Sequence, residues 1–352
     1  MADINSFYKG RRVLVTGHTG FKGAWLCRAL LDAGAEVTGY GLEPPTQPNL
    51  YELAGLESQL HSVIGDIRDL ELLQRTFQQS QPEIVFHLAA QPIVREGYKD
   101  PVDTYSTNVM GTVHVLECVR HTQSVRSVIN VTTDKVYHNQ EWVWSYRENE
   151  VLDGHDPYSN SKSCSELVSG CYARSFLQDA GIPISTMRAG NVIGGGDFAP
   201  DRILPDCIRS ALAGEPIIVR NPYSIRPYQH VLEALVAYLL VAKEQYEDSA
   251  LAGSYNVGPN DADCITTGQL AELFCQKWGP EISWIHQAEA NAPHEANLLR
   301  LDSTKLKSVF GWSPRWDVDM AVQKTVEWVK VWQQGEDVVS LMSQQIAELM
   351  RS

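Results

Sequence analysis

The chain has 352 residues, 43% of them hydrophobic and 20% charged, enough to bury a full core in one large domain or two intimate ones. A net charge of -14 and a pI near 5.2 argue against nucleic acid or an anionic membrane as the main partner, while a small anion held by local basic groups stays open. The 7 cysteines are scattered without metal-binding pairs, the first ten residues are polar, and no window approaches a membrane span; reduced thiols, no metal and a soluble cytoplasmic protein are expected.

Residues 11–16 read as a first strand running into Gly17-His18-Thr19-Gly20-Phe21-Lys22-Gly23. An apolar pattern at Ala24, Leu26, Ala29, Leu30 and Leu31 then signals a helix, ended by Gly34. Glycines let such a turn tighten and let the backbone approach a pyrophosphate at the helix N-terminus. The bland alternative is an ordinary strand–helix turn, and the GxxGxxG spacing departs from the commonest dinucleotide fingerprint. Residues 35–40 read as a second strand whose end lacks the acid expected for a ribose hydroxyl. Glu43 reads there as a solvated loop residue, and the absence of an arginine for a 2′-phosphate favours NAD over NADP. A third strand ends in Asp66, placed to meet an adenine amino group, and Asp69 caps a helix over 70–79.

A fourth strand over 83–91 runs into Leu88-Ala89-Ala90, where small residues let a cofactor pass. His87, inside that apolar run, reads as a packed, hydrogen-bonded core residue. A helix over 101–121 carrying Tyr105, a strand over 125–131, a helix over 158–180 and a strand over 182–188 continue the alternation. Such alternation predicts an α/β fold with a doubly wound parallel sheet and right-handed crossovers. Past residue 192 come a glycine-rich loop that reads as mobile (194–200), a helix over 203–213, a short strand over 217–219, a helix over 230–247 and an amphipathic helix over 318–333. The expected organisation is a dinucleotide-binding domain over 1–192, rejoined by 228–257, with a smaller interleaved substrate region over 193–352.

Two stretches carry the chemistry. Val131-Thr132-Thr133-Asp134-Lys135 closes a buried strand and delivers a hydroxyl, a carboxylate and an ammonium to the crevice where open α/β sheets bind ligands. Tyr158-Ser159-Asn160-Ser161-Lys162 puts a phenol and an ammonium four residues apart on one helix face, where the lysine charge favours the phenolate.

These motifs, in this order and spacing, resemble the extended short-chain dehydrogenase/reductase family of nucleotide-sugar enzymes. The resemblance runs along nearly the whole chain, through Arg188-Ala189-Gly190-Asn191-Val192 and Gly311-Trp312-Ser313-Pro314. Within the family, a hydroxyl–Asp–acid triplet before Tyr-xxx-Lys marks the 4,6-dehydratases. Thr133-Asp134 matches, and Lys135 stands where a glutamate is usual. That departure, with segments 17–26 and 139–148 and with His294-Glu295-Ala296, is similar to the branch acting on CDP-glucose.

The resemblance implies an internal redox elimination. Tyr158 takes the proton of the sugar 4-hydroxyl as hydride leaves C4 for NAD, Lys162 holds the nicotinamide ribose and depresses the Tyr158 pKa, and Thr133 orients the 4-oxygen. The new ketone acidifies C5, Asp134 protonates the departing C6 hydroxyl, and the hydride returns to C6. Lys135 is expected to be the base at C5, in competition with a reading in which it stays charged beside Asp134. The implied cofactor site comprises Gly17, Thr19, Gly20, Phe21, Lys22, Gly23, Asp66, Ile67, Leu88, Ala89, Ala90, Tyr105, Thr132, Tyr158 and Lys162. Arg226 is the expected pyrophosphate-binding arginine, and Asn191, Arg202, Leu204 and Arg220 are further expected substrate contacts. A homodimer or homotetramer through a helix bundle completes the implied picture. The rival readings are a 4-epimerase or another dehydratase on the same fold, and a dinucleotide-binding regulator that has lost catalysis.

Overall fold

The computed structural model describes residues 2–288 and 298–351; His294 and Glu295 lie outside the described residues. Seven parallel strands form the central sheet. They are β1 (Arg12–Thr16), β2 (Glu36–Gly41), β3 (His61–Ile64), β4 (Ile84–His87), β5 (Ser127–Val131), β6 (Ile184–Ala189) and β7 (Ser254–Val257), in the spatial order β7-β6-β5-β4-β1-β2-β3. The order reverses between β1 and β4, so the carboxyl ends of these two strands open the crevice where such sheets bind ligands.

The central strands are buried because they are apolar on both faces, while the edge strand β3 is partly exposed. Val13, Val15, Phe86, Ile129 and Val131 enter one core layer, and Leu14, Val85 and Val128 enter the other. The first layer is covered by α1 (Phe21–Asp32) and by α6 (Val231–Glu247), the second by α2 (Leu70–Ser80) and α3 (Gly111–Arg120). A fully buried side chain of this size contributes about 1.5–3 kcal/mol. Polar ties set the layers: Ser127 donates to the Ala242 carbonyl (2.8 Å), and Gln245 donates to the Val128 carbonyl (2.9 Å).

Two long helices differ from the sequence expectation in the same way. The predicted 101–121 helix is α-helical over Pro101–Tyr105, widens into a π-helical turn at Ser106–Met110, and resumes as α3. The widened turn carries Asn108, whose Oδ1 accepts from the Gln91 backbone (2.8 Å) and whose amide donates to Ser161 (2.9 Å). The helix predicted to start at Tyr158 begins one residue earlier as α4 (Pro157–Tyr172), with Asp156 accepting from the Ser159 N–H (3.0 Å), and ends in a second π-helical turn, Ala173–Leu177. Asp69 caps α2 as predicted, accepting from Leu72 N (2.9 Å).

Residues after β6 build smaller elements: the paired strands Val192–Ile193 and Gln229–His230, the antiparallel pair Ile225–Pro227 and Cys264–Thr266, α5 (Ile203–Ala213) and α7 (Val318–Gln333). The glycine-rich loop after residue 193 was expected to be mobile, but it is packed. A Cβ on Gly195 would lie 2.1 Å from the Trp328 ring, one on Gly196 would lie 2.5 Å from Leu50, and the Trp25 indole donates to the Gly195 carbonyl (3.0 Å). These glycines answer close contact with tryptophan and leucine, not a need for movement. No helix among the described residues is long and apolar enough to cross a membrane.

Candidate active site

The turn after β1 is shaped for something held against its backbone. Gly17 has φ +75, and a Cβ there would stand 2.8 Å from Ala89 N; a Cβ on Gly23 would stand 2.1 Å from the Gly17 carbonyl oxygen. Gly20 precedes α1 without any side-chain cap, so the first N–H groups of that helix are left for a ligand. Leu88 and Ala89 donate their backbone N–H groups to the Thr16 hydroxyl (both 3.1 Å), which fixes the opposite wall. Thr19 has a structural role, donating to the Leu42 carbonyl at 2.8 Å. Asp66 was expected to end the third strand but follows it by two residues, with Arg68 paired to it at 2.6 Å and holding its carboxyl below the usual range. Ile67 packs against Gly111, and Tyr105 donates its hydroxyl to Asn160 (2.9 Å).

The end of β5 is joined to α4 rung by rung. Lys162 donates to the Val131 carbonyl (3.1 Å), Thr132 donates to Glu166 (2.5 Å), and Thr133 lies close enough to the Tyr158 phenol to lower its pKa. Helical spacing of four residues puts Tyr158, Lys162 and Glu166 on the one face turned to this strand end. Thr132 is therefore a structural tie, and Thr133 is the threonine aimed at the phenol.

Asp134 is buried at 1% exposure. One carboxylate oxygen accepts from the Thr133 hydroxyl (3.0 Å), and the other, Oδ2, has no hydrogen-bond partner among the described residues. Burial raises its pKa, opposed by the charge of Lys135, the Thr133 hydrogen bond, and the charges of Arg226 and Lys22. Gly190 allows a close approach, since a Cβ there would lie 2.7 Å from Pro227 and 3.2 Å from Oδ2. A buried carboxyl whose pKa is raised and whose second oxygen has no protein partner has the character of a proton donor.

The two lysines on either side also titrate unusually. Burial pushes Lys162 down to about 8, against the raising influence of Glu166. Lys22 is pushed to about 7, first by burial and then by the charges of Arg202 and Lys162. Tyr158 corrects the sequence expectation. Burial pushes the phenol up to about 12, and its lowering influences are Thr133 and Arg202, not the lysine four residues on. In the protein's own field desolvation outweighs the neighbouring ammonium.

The expected substrate contacts separate into two groups. Arg226 is buried and acts on Asp134, with its Nη1 donating to the Ile225 carbonyl (2.9 Å). Arg202 leads into α5, pairs with Asp197 (3.1 Å), and acts on both Tyr158 and Lys22. Leu204 is a correction: its side chain is 2% exposed and belongs to the main hydrophobic core, because α5 turns its apolar stripe inward there. Arg220 is half-exposed and paired with Asp201 (2.9 Å), and Asn191 offers its carbonyl to Gln229 N (3.1 Å).

A family model described as GDP-mannose 4,6 dehydratase matches residues 14–325. The CDP-glucose 4,6-dehydratase of Salmonella typhimurium is 48% identical over 99% of both chains. The chain belongs to the GDP-mannose 4,6-dehydratase family. A dTDP-glucose 4,6-dehydratase of Xanthomonas campestris pv. campestris is 29% identical over 92% of this chain and 95% of its own. Among solved structures, the UDP-glucose 4-epimerase of Thermus thermophilus in complex with NAD is 25% identical, with a TM-score of 0.77, covering 91% of this chain and 99% of that one.

In this member of the GDP-mannose 4,6-dehydratase family, three features escaped sequence reasoning. His18 is fully buried against β2, where a Cβ on Gly39 would meet its ring at 2.3 Å; its Nε2 pairs with the Ser62 hydroxyl (2.7 Å). The signal was a glycine inside a strand, which marks a close approach. Glu166 and Arg188 form a buried ion pair (2.8 Å), legible only in that Glu166 continues the Tyr158–Lys162 face by another four residues. Gly190 was seen within a motif, without the reason that a side chain there would collide with Pro227 and crowd Asp134.

Proposed function

We propose that the chain catalyses dehydration of CDP-glucose to CDP-4-keto-6-deoxyglucose and water, with NAD as cofactor. The observation that carries the reading is Asp134, a buried carboxyl with a free Oδ2 beside the Tyr158–Lys162 pair. An epimerase or a simple reductase has no use for an acid placed there, and a silent regulator has no reason to keep it.

The uncapped N-terminus of α1, the glycines at 17, 20 and 23 and the wall at Leu88–Ala90 fit the pyrophosphate and nicotinamide half of a dinucleotide, with Asp66 placed for the adenine. When bound, NAD supplies a hydride acceptor for C4, a hydride donor for C6 and a ring cation. The Tyr158 oxygen takes the proton of the 4-hydroxyl, and Thr133 orients that hydroxyl. Lys162 keeps a positive charge close to the phenol and to the ribose. The 4-ketone acidifies C5, whose proton passes to Lys135 Nζ. Asp134 Oδ2 gives its proton to the leaving C6 hydroxyl, which departs as water. Lys22 is the second reading for the C5 base, favoured by its pKa near 7 and its shared field with Asp134. Arg226 and Arg202 suit the substrate's phosphates, with residues 193–352 supplying most of the sugar-nucleotide grip.

Exposed Val102 and Met110, together with Leu167 and Phe176 along and just beyond α4, suit a two-fold helix bundle in a homodimer or homotetramer. We place the protein in the cytoplasm, where its free cysteines stay reduced. Incubation with CDP-glucose and catalytic NAD in deuterated water tests the activity. The expected product is a 6-deoxy-4-keto sugar carrying solvent deuterium at C5, with no net NADH. Unchanged CDP-glucose alongside turnover of another nucleotide sugar would overturn the substrate.

A further inference from the structure

Beneath the site lies a polar cluster to which the mechanism assigns nothing. Glu166 on α4 is 4% exposed and Arg188 on β6 is 3% exposed, with Nη2 of the arginine 2.8 Å from Oε2 of the glutamate. Glu166 accepts from Thr132 at the end of β5 (2.5 Å) and from Thr186 on β6 (2.6 Å). Arg188 also donates to the Tyr137 hydroxyl (2.9 Å) and the Glu148 carbonyl (3.0 Å), while Thr186 pairs with Ser254 on β7 (2.9 Å). A single carboxylate thus pins one helix to two neighbouring strands.

Its place along α4 makes it more than a pin. Tyr158, Lys162 and Glu166 are successive residues of one helix face, four apart, and they meet Thr133, Val131 and Thr132 of the same strand end. Lys162 is buried among Val131 of β5, Glu166 of its own helix, Lys22 of α1 and His87 of β4. Of the charged groups around it, Lys22 carries like charge, neutral His87 gives no support, and Arg188 lies behind Glu166 as its ion-pair partner. Glu166 is the acid that favours the ammonium.

We propose that Glu166 is a positioning residue for the Tyr158–Lys162 pair, tying the helix that carries both to the end of β5 and placing a negative charge one turn from Lys162. The pair of charges is bought at the cost of desolvating both ions, which a purely structural tie does not require, since matched apolar residues serve such a place as well or better. The proposal rests on the catalytic reading of Tyr158 and Lys162, but its test needs no substrate.

Lysine labelled with carbon-13 at Cε reports each ammonium's titration by NMR, and Lys162→Met assigns the Lys162 signal in the full chain. In Glu166→Gln, the Lys162 midpoint is expected to fall by about one pH unit or more. Thr186→Val loosens the same anchor while keeping the charge, so its midpoint is expected to stay with wild type. If Glu166→Gln does not fold, Arg188→Gln removes the cation paired with Glu166 (2.8 Å) and leaves the carboxylate charge uncompensated, so the Lys162 midpoint is expected to rise. A Lys162 midpoint unchanged in the folded Glu166→Gln variant, or in Arg188→Gln, would overturn the proposal and leave Glu166 as a structural tie. Lack of CDP-glucose turnover by wild type, with the shift intact, would instead strike the proposed function alone.

Discussion

Replacing Asp134 with Asn tests the acid step with little disturbance elsewhere. The amide is the same size as the carboxyl, keeps an oxygen for the Thr133 hydroxyl, and places its NH2 where Oδ2 stands free. Burial already favours the neutral carboxyl, so a neutral amide imposes no new desolvation. What disappears is the transferable proton. A positioned general acid is worth about 10²–10⁴-fold, equivalent to about 3–5.5 kcal/mol of barrier at ~1.36 kcal/mol per decade. Asp134→Asn is therefore expected to form 6-deoxy product about 10²–10⁴-fold more slowly. The earlier steps do not use Asp134, so recovered CDP-glucose is expected to gain solvent deuterium at C5 in deuterated water. The assay is proton NMR of the C5 and C6 signals over time. Product formation within tenfold of wild type would refute the assignment of the acid.

Lys135→Met is expected to abolish C5 exchange while leaving C4 oxidation measurable as transient NADH absorbance in a single turnover. Loss of exchange in Lys22→Met, with exchange kept in Lys135→Met, would move the base to Lys22. His87 is held at about 3 by burial, between the Thr16 and Thr112 hydroxyls, against about 6.5 in an unfolded chain. The unfolded state therefore binds the extra proton between these values, and His87's contribution to stability is lost as pH falls below 6.5. Relative to His87→Gln, wild type is expected to lose about 1.4 kcal/mol per pH unit between pH 6 and 4 in urea unfolding. Parallel curves for the two proteins would contradict this.

Much of the fold was legible because buried parallel strands write themselves as apolar runs, and Val13–Val15 and Val128–Val131 are such runs. The strand–turn–helix unit after β1 followed from its glycines, and the Tyr158–Lys162 pair from spacing on α4. What failed were features decided by tertiary surroundings. Leu204 and the loop at Gly195 were misread because the partners that cover them, including Trp328, come from distant parts of the chain. The Tyr158 phenol was misjudged because a sequence shows which charge is near, but not how completely water is removed. Glu166, on α4, was passed over because its partner Arg188 lies on β6, a separate element of the chain.

The central claim is that the redox change is internal to the sugar. CDP-glucose carrying deuterium at C4, turned over in ordinary water with catalytic NAD, tests it most directly. The account predicts that the deuterium appears in the C6 methyl group of the 4-keto product, one per molecule. Deuterium that accumulates in the cofactor pool, or that stays at C4 in an epimerised sugar, would contradict it.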